Sequence, residues 1–330
     1  MAHLAEFELI RRYFSRPVAD AVLAGGDDCA LLTLTPGTTL AVTSDTLVSG
    51  VHFFPNAKPY ALGWKTLAVN LSDLAAMGAT PRWVLLCLTL PETNESWLSA
   101  FAAGFYACAE KFSVALVGGD TTRGHLAFSV TAMGEIPAGE ALCRHTAEAG
   151  DDIWVSGSPG LAALALQEME GKCVLPDSLR ALCQKHLHTP EPRVQLGMAL
   201  RKLAHAAIDI SDGILNDLAH IARRSALEAK VFLPDLPQLP EGVARDVALT
   251  ALLNGGDDYE IIFTAPPAHH PELTKIAAQL NLPLWRIGEM TLPNPDHEPA
   301  ARLFDSNNKE IPWVPSGYEH FTCPASGNVS

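Results

Sequence analysis

The hydrophobic positions of this chain follow helical spacing in some stretches and form short unbroken runs in others. Apolar residues recur at helical spacing over residues 60–77 and 96–111, which predicts a long helix in each stretch. Short apolar runs at residues 84–90 and 127–133 predict buried strands. Helices that alternate with strands in this way predict an α/β (α+β) fold.

The same spacing rules place further elements along the chain. Helices are predicted over residues 7–14, 161–167, 193–205 and 213–225, and strands over residues 31–32, 40–42, 114–117, 151–157, 207–210, 231–233, 260–264, 285–287 and 301–304. We expect loops at residues 118–124 and around His186, His188, His269 and His270. A boundary near residue 147 predicts an N-terminal domain over residues 1–146, a C-terminal domain over 147–322 and a flexible tail over 323–330.

Aspartates stand repeatedly where the apolar runs end, next to glycine or serine. These residues are Asp27 and Asp28, Asp45, Asp120, Asp209 and Asp212, and Asp257 and Asp258. Crowded carboxylates repel each other and raise one another's pKa unless cations neutralise them. Carboxylate oxygens beside glycine-rich backbone suit Mg²⁺, which often bridges phosphates. The pattern therefore predicts a multi-metal, phosphate-handling site built from segments far apart in the sequence.

Each cluster taken alone also fits an ordinary structural feature. Glycine–aspartate pairs are common in turns, and residues 43–45 could be a helix N-cap. Asp73 is different because it lies between leucines inside an apolar helix, where a carboxylate needs a partner or a metal. Asn70 precedes it by three residues and shares its helix face.

Three further residues have a structural and a functional interpretation, and the sequence leaves both open. His52 is either a packed loop histidine or a substrate contact. Arg144 either pairs with phosphate or forms a surface ion pair. Tyr318 is either a core aromatic or a wall against a flat ring.

Composition excludes several classes of protein. The net charge of −14 over 330 residues argues against nucleic acid as the partner, and no apolar stretch is long enough to span a membrane. The first residues have neither a basic segment nor an apolar one, so no signal peptide is predicted. The seven cysteines include no CxxC pair, which favours reduced thiols and a cytoplasmic location, and Cys87 and Cys108 are predicted to lie in the core.

The usual nucleotide-binding motifs are missing from the sequence. It contains no GxGxxG after a strand, no GxxxxGK[ST] and no HRD or DFG, so dinucleotide-binding, P-loop and protein-kinase chemistry lack support. A phosphate-transferring enzyme of this kind would depend on metals and backbone groups.

The ordered motifs resemble those of the thiamine-monophosphate kinase family. The matching segments are residues 26–30, 44–48, 69–79, 118–124, 208–213, 255–260 and 317–318, and they run from about residue 5 to about residue 321. The segments at 69–79 and 118–124 are the most specific. This family belongs to the superfamily of aminoimidazole-ribonucleotide and selenophosphate synthetases and a hydrogenase-maturation enzyme.

The resemblance implies a two-domain synthetase-like fold and a reaction. The N-terminal mixed sheet would form a barrel across a homodimer, beside a C-terminal α/β domain. The enzyme would transfer phosphate from ATP to thiamine monophosphate, giving thiamine diphosphate, by in-line transfer bridged by several Mg²⁺ ions. Because the acceptor phosphate is already an anion, no protein base is needed.

The resemblance also assigns roles to residues. Metal ligands would be Asp28, Thr43, Ser44, Asp45, Asp73, Asp120, Asp209 and Asp212. ATP would contact Gly119, Asp120, Arg144 and Ser211, and thiamine monophosphate would contact His52, Asp257 and Tyr318. The family commonly has Glu where this chain has Asp257, so the shorter acid is a departure.

Other classes remain as alternatives at this stage. One is a different ATP-using enzyme of the same superfamily, although no reactive cysteine with a nearby lysine precedes residue 25 and the chain does not end in cysteine. The other is a non-catalytic protein that binds divalent cations, although EF-hand spacing is absent. Turnover of ATP separates these alternatives.

Overall fold

The strands of the computed structural model form two sheets, one of four strands and one of seven. The structure describes residues 6–18, 21–24, 27–294 and 296–313. Helices alternate with strands through most of this length, so the α/β class predicted from the hydrophobic pattern is confirmed. Within the described residues, no helix is long and apolar enough to cross a membrane.

The four-stranded sheet comes from the first half of the chain. Its elements in chain order are α1 (Glu6–Tyr13), β1 (Thr38–Val48), α2 (Pro59–Ala76), β2 (Thr80–Leu90), α3 (Glu95–Lys111), β3 (Ala115–Arg123) and β4 (Ala127–Pro137). The strand order is β1-β4-β2-β3, which leaves β1 and β3 at the two edges. Leu67 and Leu71 of α2 and Phe101 of α3 pack in one core with Leu86 and Phe128 of the strands, so the helices cover one face of the sheet.

The other face of this sheet is open. Side chains of β1 alternate, and Leu40 and Val42 on the open face are 39% and 58% exposed. Cys108 is buried as predicted, but the prediction that Cys87 lies in the core is wrong, because Cys87 stands on this open face. An apolar run indicates a strand, but it does not indicate whether both faces of the sheet are covered.

The seven-stranded sheet comes from the second half of the chain. Its elements are β5 (Asp152–Ser156), α4 (Leu161–Met169), α5 (Asp177–His188), α6 (Val194–Leu200), β6 (Ala206–Asp209), α7 (Ile214–Ser225), β7 (Glu228–Phe232), α8 (Arg245–Asn254), β8 (Ile261–Ala265), α9 (His270–Leu280), β9 (Leu284–Thr291), β10 (Ala301–Phe304) and β11 (Glu310–Ile311). The strand order is β11-β10-β7-β9-β5-β8-β6. Edge strand β6 and helix α6 both contact α2, so one hydrophobic core continues from one sheet to the other.

Some predicted elements differ from those observed. Most of the segment 118–124, predicted as a loop, belongs to β3, and the helix predicted over residues 193–205 ends at Leu200. The helix stops there because Arg201 turns away and its guanidinium donates to the carbonyl of Gly78 and to Thr80 Oγ1 at 2.6 and 3.0 Å.

Three helices, α5, α8 and α9, were missed, and the histidines that were predicted to lie in loops lie in or beside α5 and α9. His186 and His188 lie in α5, His270 begins α9, and His269 lies in a short 3-10 turn before it. Both helices are mostly polar, so their apolar stripe is narrow. The spacing of Leu179, Cys183 and Leu187, which pack in the core, is the signal that could have predicted α5.

Candidate active site

The polar side chains of α2 join the two sheets at one place. Helix α2 is buried along most of its length because it packs between the sheets, and Pro59 starts it. Toward β1, Thr43 Oγ1 donates to Asp73 Oδ2 at 2.5 Å, and the amide of Asp45 donates to Asn70 Oδ1 at 2.9 Å. Toward β6, Ser72 Oγ donates to Asp209 Oδ2 at 2.8 Å. Helix α2 therefore holds Asp45, Asp73 and Asp209 around its last two turns.

These three carboxylates influence one another electrostatically. Burial, and then the charge of Asp73, raise the pKa of Asp45 to about 6. The same two causes, in the same order, raise the pKa of Asp209 to about 8. Burial also raises the pKa of Asp73, against the hydrogen bond from Thr43 and the charge of Arg144. The arrangement is an acid cluster whose pKa values stay raised although Arg144 lies nearby, as expected of a cation site.

The turn after β6 is shaped by a second buried acid. Asp217 in the first turn of α7 is 3% exposed, and its Oδ2 accepts hydrogen bonds from the amides of Ser211 and Asp212, each at 3.0 Å. Burial raises the pKa of Asp217 to about 7, and the charges of Asp212 and Arg144 act on it in opposite directions. The turn that carries Ser211 and Asp212 thus lies beside the acid cluster.

The segment before β8 faces the same edge of the sheet, because β8 is antiparallel to β6. Asp257 Oδ2 accepts from Lys65 Nζ, and its Oδ1 accepts from the hydroxyl of Tyr259, both at 2.8 Å. Asp257 and Tyr259 have φ of +66° and +53°, values that are uncommon for residues other than glycine. A Cβ on Gly256 would lie 2.0 Å from the carbonyl oxygen of Ser211, so only glycine fits between the two segments.

The neighbouring acids of this segment have structural partners. Asp258 Oδ2 accepts from the amide of Gly160 at 2.6 Å, at the start of α4. Glu260 accepts two hydrogen bonds from Arg193 at 2.7 and 2.5 Å and one from Ser156 at 2.6 Å. Of Asp257, Asp258 and Glu260, only Asp257 therefore faces the candidate site. The pattern of aspartates in the sequence did not distinguish Asp257 from Asp258.

Several predicted site residues lie apart from the acid cluster. Ser44 and Asp120 stand on the open face of the four-stranded sheet, where Ser44 Oγ donates to the carbonyl of Val130 at 3.0 Å. Asp120 and Gly119 belong to edge strand β3, three positions across the sheet from β1, and Gly119 lies so close to β2 that a Cβ would be 1.9 Å from the carbonyl oxygen of Leu86.

Asp28 and His52 precede and follow β1. Asp28 is exposed in a turn, and His52 is half-buried, with its Nδ1 accepting from the amide of Val48 at 3.0 Å. Tyr318 lies outside the described residues.

Comparison with known proteins identifies the family. Residues 26–136 match the family model described as AIR synthase related protein, N-terminal domain, and residues 148–294 match that of the C-terminal domain. The thiamine-monophosphate kinase of Escherichia coli K12 is 42% identical over 327 residues, which cover 97% of this chain and 99% of that protein. The chain belongs to the thiamine-monophosphate kinase family. It is accordingly a kinase, and its motif-based resemblance to this family is confirmed.

Solved structures agree with this assignment. Thiamine-monophosphate kinase from Stenotrophomonas maltophilia K279a is 48% identical with a TM-score of 0.80, covering 86% of this chain and 91% of that one. A structure of AaThiL complexed with AMPPCP and TMP is 28% identical with a TM-score of 0.74, covering 88% of this chain and 89% of that one. The kinase fold is therefore shared along most of the described chain.

Sequence reasoning missed some polar residues of this candidate site. Lys65 and Asp217 were not singled out, although Lys65 lies within the same apolar helix as Asp73 and could have been flagged for the same reason. Tyr259 was noted only as part of a motif. Its hydroxyl reaches Asp257 because the backbone of the loop is left-handed at both residues, a conformation that the motif did not indicate.

Proposed function

We propose that this kinase transfers the terminal phosphoryl group of ATP to thiamine monophosphate, forming thiamine diphosphate and ADP. The observation that carries the proposal is the convergence of Asp45, Asp73 and Asp209, from three different elements, into one partly buried acid cluster. Such a cluster can hold cations between two polyanionic substrates. The relatives' names and the AMPPCP and TMP of the AaThiL complex support the identity of those substrates.

The carboxylates of the cluster fit Mg²⁺. They are hard oxygen donors, and burial and mutual repulsion raise the pKa of Asp45 and Asp209, a state that a bound cation relieves. Among the described residues, no group of three or more His, Cys, Asp or Glu side chains is close enough to hold a metal by itself. We therefore propose that substrate phosphate oxygens complete the coordination. When bound, Mg²⁺ would neutralise the phosphates and hold them in line.

The residues of the chain then bind and orient the substrates. We propose that Asp28, Thr43, Ser44, Asp45, Asp73, Asp120, Asp209 and Asp212 provide the oxygen ligands for several ions. Arg144, whose charge opposes the rise in the pKa of Asp73, together with Gly119, Asp120 and Ser211 would contact ATP. His52, Asp257 and Tyr318 would contact thiamine monophosphate.

The transfer itself requires only positioning. The bond between the terminal phosphorus of ATP and its bridging oxygen breaks, and a new bond forms to an oxygen of the acceptor phosphate. That oxygen is already anionic, so no residue has to remove a proton, and the contribution of the protein is alignment and charge neutralisation.

A direct assay tests this function. Purified protein with ATP, Mg²⁺ and thiamine monophosphate is expected to form thiamine diphosphate and ADP in equal amounts, measured by chromatography, and EDTA is expected to abolish the reaction. ADP formation without thiamine diphosphate would refute the proposal.

We also propose that the kinase is a homodimer formed through the N-terminal domain, residues 1–146. The open face of the four-stranded sheet carries exposed Leu40 and Val42, and β1 and β3 are unpaired edges among the described strands. Apolar open faces and free edges favour association. A second copy over this face would close a barrel and would also enclose Ser44 and Asp120.

The variant Val42→Asp tests the dimer. A carboxylate in the apolar contact is expected to convert the dimer into monomer in sedimentation at micromolar concentration, while Val174→Asp, at an 82% exposed site in the C-terminal half, leaves the dimer intact. A wild-type protein that sediments as a monomer with full activity would contradict the proposal.

A further inference from the structure

Lys65 is a buried cation at the junction of the two halves of the molecule. It lies on α2, is 5% exposed, and its ammonium donates to Asp257 Oδ2 at 2.8 Å. A buried ammonium is costly unless it is paired, and replacing a buried ion pair with apolar side chains is often neutral or stabilising. Stability alone therefore does not explain why this helix carries a lysine, whereas the geometry of Asp257 offers a role for it.

The conformation of the Asp257 loop has to be imposed by its surroundings. Left-handed backbone at both Asp257 and Tyr259 is unfavourable, and such conformations persist where neighbouring contacts hold them. The amides of Asp257 and Tyr259 donate to the carbonyls of Ser211 and Ile210 at 3.1 and 2.9 Å, which fixes the backbone of the loop to the turn after β6. Lys65 and the Tyr259 hydroxyl then fix the side chain, one at each carboxylate oxygen.

This side chain lies beside the acid cluster. Burial raises the pKa of Tyr259 well above its ordinary value, and the charges of Asp257, Asp45 and Asp209 all act in the same direction. Each carboxylate oxygen can accept more than one hydrogen bond, so Asp257 keeps acceptor capacity on the sides that Lys65 and Tyr259 leave open. Both of its oxygens are thus oriented by the protein with capacity left for a ligand.

We infer that Lys65 is a positioning residue, which orients Asp257 toward the organic part of thiamine monophosphate by tying the Asp257 loop to α2. The inference rests on the proposed function. Lys65 does not itself contact the reacting phosphates; it sets the direction of the carboxylate and offsets part of its charge. Its loss therefore affects binding of the thiamine substrate and leaves ATP binding in place.

The test is a set of variants measured for the KM of each substrate. Lys65→Met is expected to raise the KM for thiamine monophosphate by about tenfold or more, because it leaves a half-buried carboxylate without its partner, while the KM for ATP changes by less than about twofold. Lys65→Arg, which keeps the charge with another shape, is expected to give an intermediate value. Should Lys65→Met not fold, Lys65→Gln carries the same measurement.

A double-mutant cycle distinguishes positioning from general stabilisation. If Lys65 acts through Asp257, the variant Lys65→Met/Asp257→Asn has a KM for thiamine monophosphate no higher than that of the worse single variant. The matched control is Lys111→Met, because Lys111 forms another ion pair between the two halves, at 2.7 Å to Glu191, and neither residue belongs to the acid cluster or contacts Asp257. Both KM values of this control are expected to stay at the wild-type level.

Several results would overturn the inference. One is an equal change in both KM values of Lys65→Met together with a lower melting temperature. Another is a double variant whose KM for thiamine monophosphate rises by the product of the two single-variant factors. A third is a KM for thiamine monophosphate within twofold of wild type in Lys65→Met. Wild-type turnover is scored separately, so failure of the wild type to form thiamine diphosphate overturns the proposed function, whereas these variant results overturn only the role of Lys65.

Discussion

Asp45→Asn is expected to lower kcat by a factor on the order of 10² to 10³ without loss of folding, in line with removal of one group that stabilises charge in a transition state. The carboxylate is a proposed cation ligand, and its loss exposes the repulsion between the two substrates. The folded protein should tolerate the change, because burial and the charge of Asp73 already raise the pKa of Asp45 to about 6. At pH 7.5 the neutral amide removes this repulsion, so the melting temperature is expected to equal or exceed that of the wild type.

Two further variants make this prediction specific. Asp120→Asn is expected to lose activity similarly while leaving the melting temperature unchanged, since Asp120 is exposed on the edge strand. Asp246→Asn, at an exposed position in the first turn of α8, is the control and keeps full activity. Steady-state kinetics and thermal unfolding provide the two readouts. Near-normal turnover of Asp45→Asn would contradict the ligand role.

In the presence of EDTA, the melting temperature is expected to fall as the pH rises from about 6.5 to about 8.5. Asp217 and Asp209 have pKa values of about 7 and about 8, raised from 3.8 first by burial. Across this window both carboxyls are ionised in the unfolded chain, whereas the folded protein still binds protons, so stability decreases as these protons leave. The groups facing Asp209 are Ser72, Asp73, Asp217 and Arg144, and only Ser72 and Arg144 oppose the rise.

Below this pH window, buried histidines have the opposite effect on stability. Burial lowers the pKa of His186, His188 and His220, and a histidine that is harder to protonate in the folded state makes stability rise with pH up to about 6.5. Above that pH the aspartates dominate. For domains of 150–250 residues, each kcal/mol of unfolding free energy that is lost lowers the melting temperature by about 2–4 °C.

Magnesium and one variant check the origin of this pH dependence. Mg²⁺ is expected to raise the melting temperature more at pH 8 than at pH 6.5, because it binds the carboxylates only when they are ionised. Asp209→Asn is expected to flatten the profile between these pH values, whereas Asp246→Asn should leave it unchanged. A wild-type melting temperature that rises between pH 6.5 and pH 8.5 would contradict the prediction, because it would show that the charges of the acid cluster are neutralised without metal.

The sequence alone was sufficient for the fold class and the family. Helical spacing over residues 60–77 predicted α2 within one residue at each end, because a helix packed between two sheets needs apolar residues on most of its circumference. The ordered acid motifs predicted the family because each is short but their order is specific. Helix α8 was missed, and so were the polar helices α5 and α9, since a narrow apolar stripe resembles a loop.

The tertiary structure decided which predicted residues share a site. Neighbouring residues of a strand point to opposite faces, so the sequence could separate Ser44 from Thr43 and Asp45, but not say which face the helices cover. It also could not show that Asp257 pairs with Lys65, a contact that spans 192 positions of the chain. The chemistry of each acid can be read from its own residue type, whereas its partners, its burial and therefore its pKa are set by segments that meet only when the chain folds.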